Sequence, residues 1–217
     1  MKKSYKKYYL IILFVTILFT FFFLNSKLHF IKGKVYTNKD FTIPVLEAKT
    51  DKDDDGVEDY KDIVLSARKY IETKPKYKSK YYIGGYPTDH YGTCTDVIWN
   101  AFKGAGYSLK DLVDEDILLN QNRYPHIKKV DPNIDFRRVK NLDIFFKNHA
   151  KVLTTDKKKI KEWQAGDIVI SKNHIAIVSD KRNKKGIPYI IHHDGWGARE
   201  ADDLSSMKVV GHYRWEK

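Results

Sequence analysis

The chain has 217 residues, 42% of them hydrophobic and 14% aromatic, a composition that supports a packed core and excludes a disordered tail. Its formal net charge is +12, but seven lysines and no acid precede Val35, leaving +5 interspersed with acids over the rest; without a recognition motif, this argues against nucleic-acid binding. A single cysteine, Cys94, excludes an internal disulfide.

Lys2, Lys3, Lys6 and Lys7 precede an uncharged run from Tyr8 to Ser26. At about 1.5 Å per residue the run matches the hydrocarbon core of a bilayer, and the lysines place the N-terminus on the cytoplasmic side. Phe23-Leu-Asn-Ser26 lacks the small residues of a cleavage site. Residues 1–27 are therefore expected to form a single-pass signal anchor in the cell membrane, with secretion after signal cleavage as the alternative. In both cases Leu28 onward lies outside the cytoplasm. Residues 28–50 read as a stalk or extended lead-in, since Phe41-Thr-Ile-Pro44-Val-Leu carries a proline.

The next twelve residues, 51–62, run Asp51-Lys-Asp53-Asp-Asp55-Gly56-Val57-Glu-Asp59-Tyr-Lys-Asp62. Carboxylates at loop positions 1, 3, 5, 9 and 12 with Gly at position 6 match a calcium loop, in which closely spaced oxygens converge on one hard cation and Gly permits the sharp turn. The predicted ligands are Asp51, Asp53, Asp55, the Val57 carbonyl, Asp59 and Asp62, holding a structural calcium with an affinity on the order of 10⁻⁴ to 10⁻³ M. A solvated acidic linker is the competing interpretation. A helix is expected from Ile63, opening a domain over 63–217.

Cys94 follows Tyr81-Tyr-Ile-Gly84-Gly85 and a polar loop, and it opens an apolar helical run ending at Gly104-Ala-Gly106. A thiol at a helix N-terminus meets unpaired N–H groups and the helix dipole, both of which favour the reactive thiolate. A second helix is expected over 107–119. The stretch from Asn122 to Val139 reads as a long loop, in which Arg137 and Arg138 either hold a substrate carboxylate or pair with Asp131 and Asp135. An amphipathic helix over 141–149 follows.

Three short apolar runs bounded by turn residues, 164–170, 173–180 and 188–195, predict antiparallel strands. His174 begins the second and His192 ends the third, so a hairpin between them brings both imidazoles to one end. A nucleophilic thiol needs a base, and the base needs a group that holds its tautomer. Cys94, His174 and His192 supply these types. A zinc site on the same three residues is a competing reading. His193, on the opposite face of its strand, and His212 are expected to be surface or hydrogen-bonded core residues.

The order Tyr-x-x-Gly-Gly, Cys at a helix start, Gly-Asp-apolar, then His174 and His192 resembles the NlpC-type papain-like cysteine peptidases. The stretches Gly92-Thr-Cys-Thr-Asp-Val-Ile98, Asp131-Pro-Asn-Ile-Asp-Phe-Arg-Arg-Val139, His174-Ile-Ala-Ile-Val-Ser-Asp180 and Gly211-His-Tyr-Arg214 resemble, more closely, the bacterial domain of unknown function 1287. The resemblance implies an α+β papain-like fold with Cys94 packed on an antiparallel sheet. It also implies Cys94 as nucleophile, His174 as general base, His192 as orienting residue, and Tyr81 and Asp96 in support. Thr93, Thr95 and Asp96 stand where NlpC-type peptidases carry Asp before the Cys and Ser-Gly after it, so the scissile bond does not carry over.

The expected function is a membrane-anchored, monomeric cysteine hydrolase cleaving an amide bond in cell-wall peptide, with no organic cofactor. Two alternatives stand beside it: a thiol acyltransferase on the same residues, and a noncatalytic, calcium-stabilised module that binds the cell envelope.

Overall fold

A computed structural model describes residues 2–28 and 34–216, in two units divided between Lys34 and Val35. The first unit is the helix α1 (Lys2–Leu28). It contains one stretch, Lys6–Leu24, with a mean hydropathy of 2.2, long and apolar enough to cross a membrane. From Tyr8 onward that stretch carries no charge, and a helix is the conformation that satisfies every backbone group internally where water is absent.

The second unit is α+β. Its helices are α2 (Asp59–Glu72), α3 (Cys94–Gly104), α4 (Leu109–Leu119) and α5 (Val139–His149). Two short strands, β1 (Lys76–Tyr77) and β2 (Tyr91–Gly92), pair in parallel ahead of α3. The remaining strands are β3 (Lys151–Val152), β4 (Ile168–Ser171), β5 (His174–Arg182), β6 (Pro188–Asp194), β7 (Gly197–Ala201) and β8 (Gly211–Arg214). They form one antiparallel sheet in the order β3-β8-β4-β5-β6-β7.

The predicted strands are thus present as β4, β5 and β6, paired in sequence as neighbours. Side-chain alternation divides the sheet into two faces. Ile168, Ile170, Ile175, Ile177 and Ile191 join the main core with α2, α3, α4 and α5. Val169, Ala176, Val178 and Ile190 pack on the other face against Trp163 and Leu204. The last turn of α3 meets α2 closely, for a Cβ on Gly104 would lie 1.8 Å from the Ser66 Oγ. Gly104 therefore lets the two helices touch as well as ending the run.

Two boundaries differ from expectation. Helix α2 starts at Asp59 rather than Ile63, because the Glu58 side chain caps it by accepting the N–H groups of Tyr60 and Lys61. The last residues of the acidic loop are consequently its first helical turn. From Val35 the chain is no stalk but a packed strap: Ile43 and Asn38 are buried, and Tyr36 exchanges backbone hydrogen bonds of 2.9 and 2.7 Å with Arg182.

Arg182 explains why the strap is held. Among the described residues its buried side chain has no carboxylate within salt-bridge distance, and burial, opposed by the Asp167 charge, lowers its pKa to about 10. Neutral acceptors take its protons: Asn38 Oδ1 at 2.6 Å and the carbonyls of Ile160, Trp163 and Gly186. Asn38 also donates to Gln164 Oε1 at 3.0 Å. Asn38→Ala would leave a buried guanidinium proton unpaired, at a cost of about 1–3 kcal/mol. Urea unfolding of the full chain in detergent measures it; a loss under about 0.5 kcal/mol, the range of an ordinary surface change, would mean that the strap does not anchor Arg182.

Candidate functional site

Cys94 is the first residue of α3, after the extended N-cap Thr93. The helix start is built around Asp96, which is fully buried. Its Oδ2 accepts the Thr93 N–H at 2.7 Å, the arm of a capping box that reaches back to the cap. Arg137 grips both oxygens, Nε to Oδ1 and Nη2 to Oδ2, each at 2.8 Å, and Trp99 Nε1 donates to Oδ1 at 2.8 Å. The remaining arm of Arg137 donates to the Lys80 carbonyl at 3.0 Å, tying the segment before Tyr81 to the same point. With every oxygen engaged, Asp96 positions the helix and is not presented to a ligand. The expected partner of Arg137 was Asp131, Asp135 or a substrate; it is Asp96. Arg138 does pair with Asp135, at 3.6 Å.

His174 and His192 meet as expected. His174 Nε2 lies 2.9 Å from His192 Nδ1, with the rings nearly perpendicular. His192 Nε2 lies 3.0 Å from Asp203 Oδ2, and Arg199 on β7 donates to the same oxygen at 2.6 Å. Arg199 also grips Asp194, at 2.6 and 3.0 Å. Burial raises the Asp203 pKa, but the His192 hydrogen bond and the Arg199 charge outweigh it and hold the group down at about 2. Ionised Asp203 accepts the His192 Nε2 proton. In the tautomer where His192 Nδ1 accepts from His174 Nε2, the lone pair of His174 sits on Nδ1. Burial, and then His192, lowers the His174 pKa to about 4, so the ring is neutral at physiological pH.

The thiol stands beside the backbone N–H of Ile175, next in the chain to His174, and beside the N–H groups of Cys94 and Thr95. These favour the thiolate, yet burial outweighs them and pushes Cys94 up to about 11. The helix-start argument therefore overestimates thiolate character, because only 5% of the residue is exposed and desolvation acts on the full charge.

The other site expectations divide. Tyr81 is exposed, and its hydroxyl is bound by Asp131 at 3.1 Å and Asn133 at 2.9 Å. Burial, and then the charges of Cys94 and Asp194, raise the pKa of Tyr77 on β1. Tyr77 meets His193 edge-on at 5.2 Å. His193 is a core residue, but not a hydrogen-bonded one: it is fully buried, and among the described residues neither ring nitrogen has a partner. His212 is the hydrogen-bonded core histidine anticipated, between the Thr154 carbonyl at 2.7 Å and Asp167 Oδ2 at 2.9 Å. Asp203, Arg199 and Tyr77 carried no signal in the sequence; Asp203 lies in a turn after β7, at a spacing set only by the fold. A zinc ion on Cys94, His174 and His192 would have to break the His174–His192 hydrogen bond. The oxygens of Asp194 and Asp203, which with His192 could hold a cation, are taken by the Arg199 guanidinium.

In the acidic loop, one carboxylate oxygen each from Asp51, Asp53 and Asp55 lie within 4.8 Å of one another. Asp62 is buried, and burial together with Asp55, Asp53 and Asp51 pushes its pKa up to about 6. Asp59 departs from the predicted ligand set. Its oxygens accept from Tyr107 Oη at 2.6 Å, from Thr50 Oγ1 and from the Lys52 N–H at 2.9 Å, all directed into the fold.

An α+β protein with a thiol at a helix start and a His-His-Asp relay at the end of its sheet is the class these features define. The chain belongs to the family described as domain of unknown function 1287, whose model matches residues 64–215. A relative from Escherichia coli (strain K12), uncharacterized protein YijF, is 40% identical over 149 residues, covering 65% of this chain and 72% of that protein. No solved structure matches.

Arg137→Met would strand the buried Asp96 charge and cost about 3–5 kcal/mol, read as a lower denaturation midpoint. Alkylation of Cys94 by iodoacetamide should be slow at neutral pH and climb with pH towards about 11, since the neutral thiol must lose its proton first. A rate already level between pH 5 and pH 8 would instead reveal a resting thiolate–imidazolium pair.

Proposed function

We propose that the protein is a membrane-anchored cysteine hydrolase with a papain-like arrangement, acting outside the cytoplasm on an amide bond of cell-wall peptide. The observation that carries this reading is the relay His174–His192–Asp203, which begins at the residue before Ile175, whose N–H lies beside the helix-start thiol. Cys94 is the nucleophile, His174 the general base, His192 the orienting residue, and Asp203 the charge that holds the tautomers.

His174 Nδ1 takes the Sγ proton as sulfur bonds to the substrate carbonyl carbon. Because both groups rest neutral, the proton moves with the attack rather than before it. The developing oxyanion is stabilised by N–H groups at the start of α3, where the helix dipole adds to them. Cleavage of the C–N bond follows, and the departing amine takes the proton from His174. Water then gives a proton to His174 and attacks the thioester carbonyl. The C–S bond breaks and Cys94 recovers its proton. An amine in place of water would make the same chemistry an acyl transfer.

Extracytoplasmic action is supported by the lysine-flanked apolar helix Lys6–Leu24. Burial of Cys94 favours a second reading, a noncatalytic module that binds envelope polymer on a hydrolase-like fold.

Incubating the full chain in detergent with purified wall fragments, followed by mass spectrometry, distinguishes the readings. Cleavage by the native chain and none by Cys94→Ala is expected, with the cut bond given by the masses. Asp203→Asn should lower kcat by tenfold or more with little change in KM, since it acts through His192 on the base and not on bound substrate. Retention of fragments with equal, background masses from native chain and Cys94→Ala would establish the binding module.

A further inference from the structure

The acidic loop plays no part in the thiol chemistry, yet the fold has concentrated charge there. Asp51, Asp53 and Asp55 turn their carboxylates towards a common point. Outside that group of three, on a different element, Asp62 in the first turn of α2 is 6% exposed. Its Oδ2 is buried and has no hydrogen-bond partner. Asp55, Asp53 and Asp51 are the charges nearest to it in effect. Among the described residues, none of these four carboxylates has a Lys, Arg or His partner within salt-bridge distance.

Four unneutralised carboxylates, one with a buried oxygen left unpaired, are unfavourable in water and worse when partly desolvated. The arrangement makes sense if a cation completes it. The chain reverses at Gly56, whose φ of +91° suits a residue without a Cβ and whose N–H donates to Asp51 Oδ2 at 2.8 Å. All available donors are oxygens, which selects a hard cation. Carboxylates on a turn and on a helix end form an adaptable set suited to the larger calcium; magnesium demands near-octahedral geometry and retains its waters.

We propose that Asp51, Asp53, Asp55 and Asp62, with the Val57 carbonyl, bind one calcium ion that joins the lead-in strap to α2 and α3. Asp59 does not ligate; it anchors the loop through Tyr107 and Thr50. The loop also rests on the turn that ends α3, where a Cβ on Gly106 would lie 3.0 Å from the Asp53 Cβ. Binding therefore ties together the starting turn of α2 and the finishing turn of α3, and the ion stabilises the folded unit by mass action. The site lies before residues 64–215 and stands independently of the proposed thiol chemistry.

The test uses the full chain in a nonionic detergent. Equilibrium dialysis with radioactive calcium should give one ion per chain, and melting should occur several degrees higher in 10 mM calcium than in chelator. Magnesium at 10 mM should give less than half that shift. Asp62→Asn keeps the side-chain shape and should weaken calcium binding at least tenfold; exposed Asp53→Asn should do the same without disturbing the core. Asp54→Asn, the loop acid outside the ligand set, should bind as the native chain does. The proposal is overturned if the native chain binds no stoichiometric calcium, if magnesium matches calcium, or if Asp54→Asn loses as much affinity as Asp53→Asn.

Discussion

The buried pair of Asp96 and Arg137 is the interaction on which the site depends. A carboxylate removed from water must have its charge and its lone pairs met, and Asp96 receives donors from the Thr93 backbone, Trp99 and both ends of a guanidinium fork. One of these contacts caps α3, which sets where Cys94 begins the helix. Another recruits Arg137 from the long loop before α5, and Arg137 in turn holds the Lys80 carbonyl. Three separated segments are thus fixed at one point, and the thiol is placed by them rather than by its own contacts.

The sheet imposes the second constraint. Cys94 belongs to the core on the helical face, with Ile175 and Ile191, whereas His174 and His192 share the alternation of Ala176 and Ile190 on the other face. The two halves of the site approach each other only at the end of the sheet, where His174 is the first residue of β5 and the thiol lies beside the next N–H. β7 closes this end by carrying Arg199 opposite His192. Arg199 is shared between Asp194 and Asp203, so the carboxylate that orients His192 is itself held from outside the hairpin.

Helix α3 joins these features to the rest of the unit. Its first turn carries Cys94, and its last, through Gly104, lies against Ser66 of α2, with the acidic loop packed on Gly106 just beyond. On the far side of the sheet, Arg182 draws the strap from Val35 onto β5 and β6. The segment ahead of the family match is therefore integral to this chain's packing.

Local chemistry in the sequence determined the elements: an uncharged run long enough for a membrane span, a glycine-bounded helix opening at Cys94, and three apolar strands, two of which carry a histidine at the open end of one hairpin. Those features depend on periodicity, capping and turn residues, which act over a few positions and can be read there. The sequence also brought His174 and His192 together, because a hairpin turn alone pairs them. What it could not supply were Arg199, on a polar strand without apolar alternation, and Asp203, in the turn after it. Nor could it supply the inward turn of Asp59 or the partner of Arg137. Each of these depends on which distant donor reaches a buried polar atom first. Only the tertiary structure decided, too, that Cys94 is buried deeply enough for desolvation to outweigh the helix start, since burial is a property of the whole packed unit and not of any residue's neighbours in the chain.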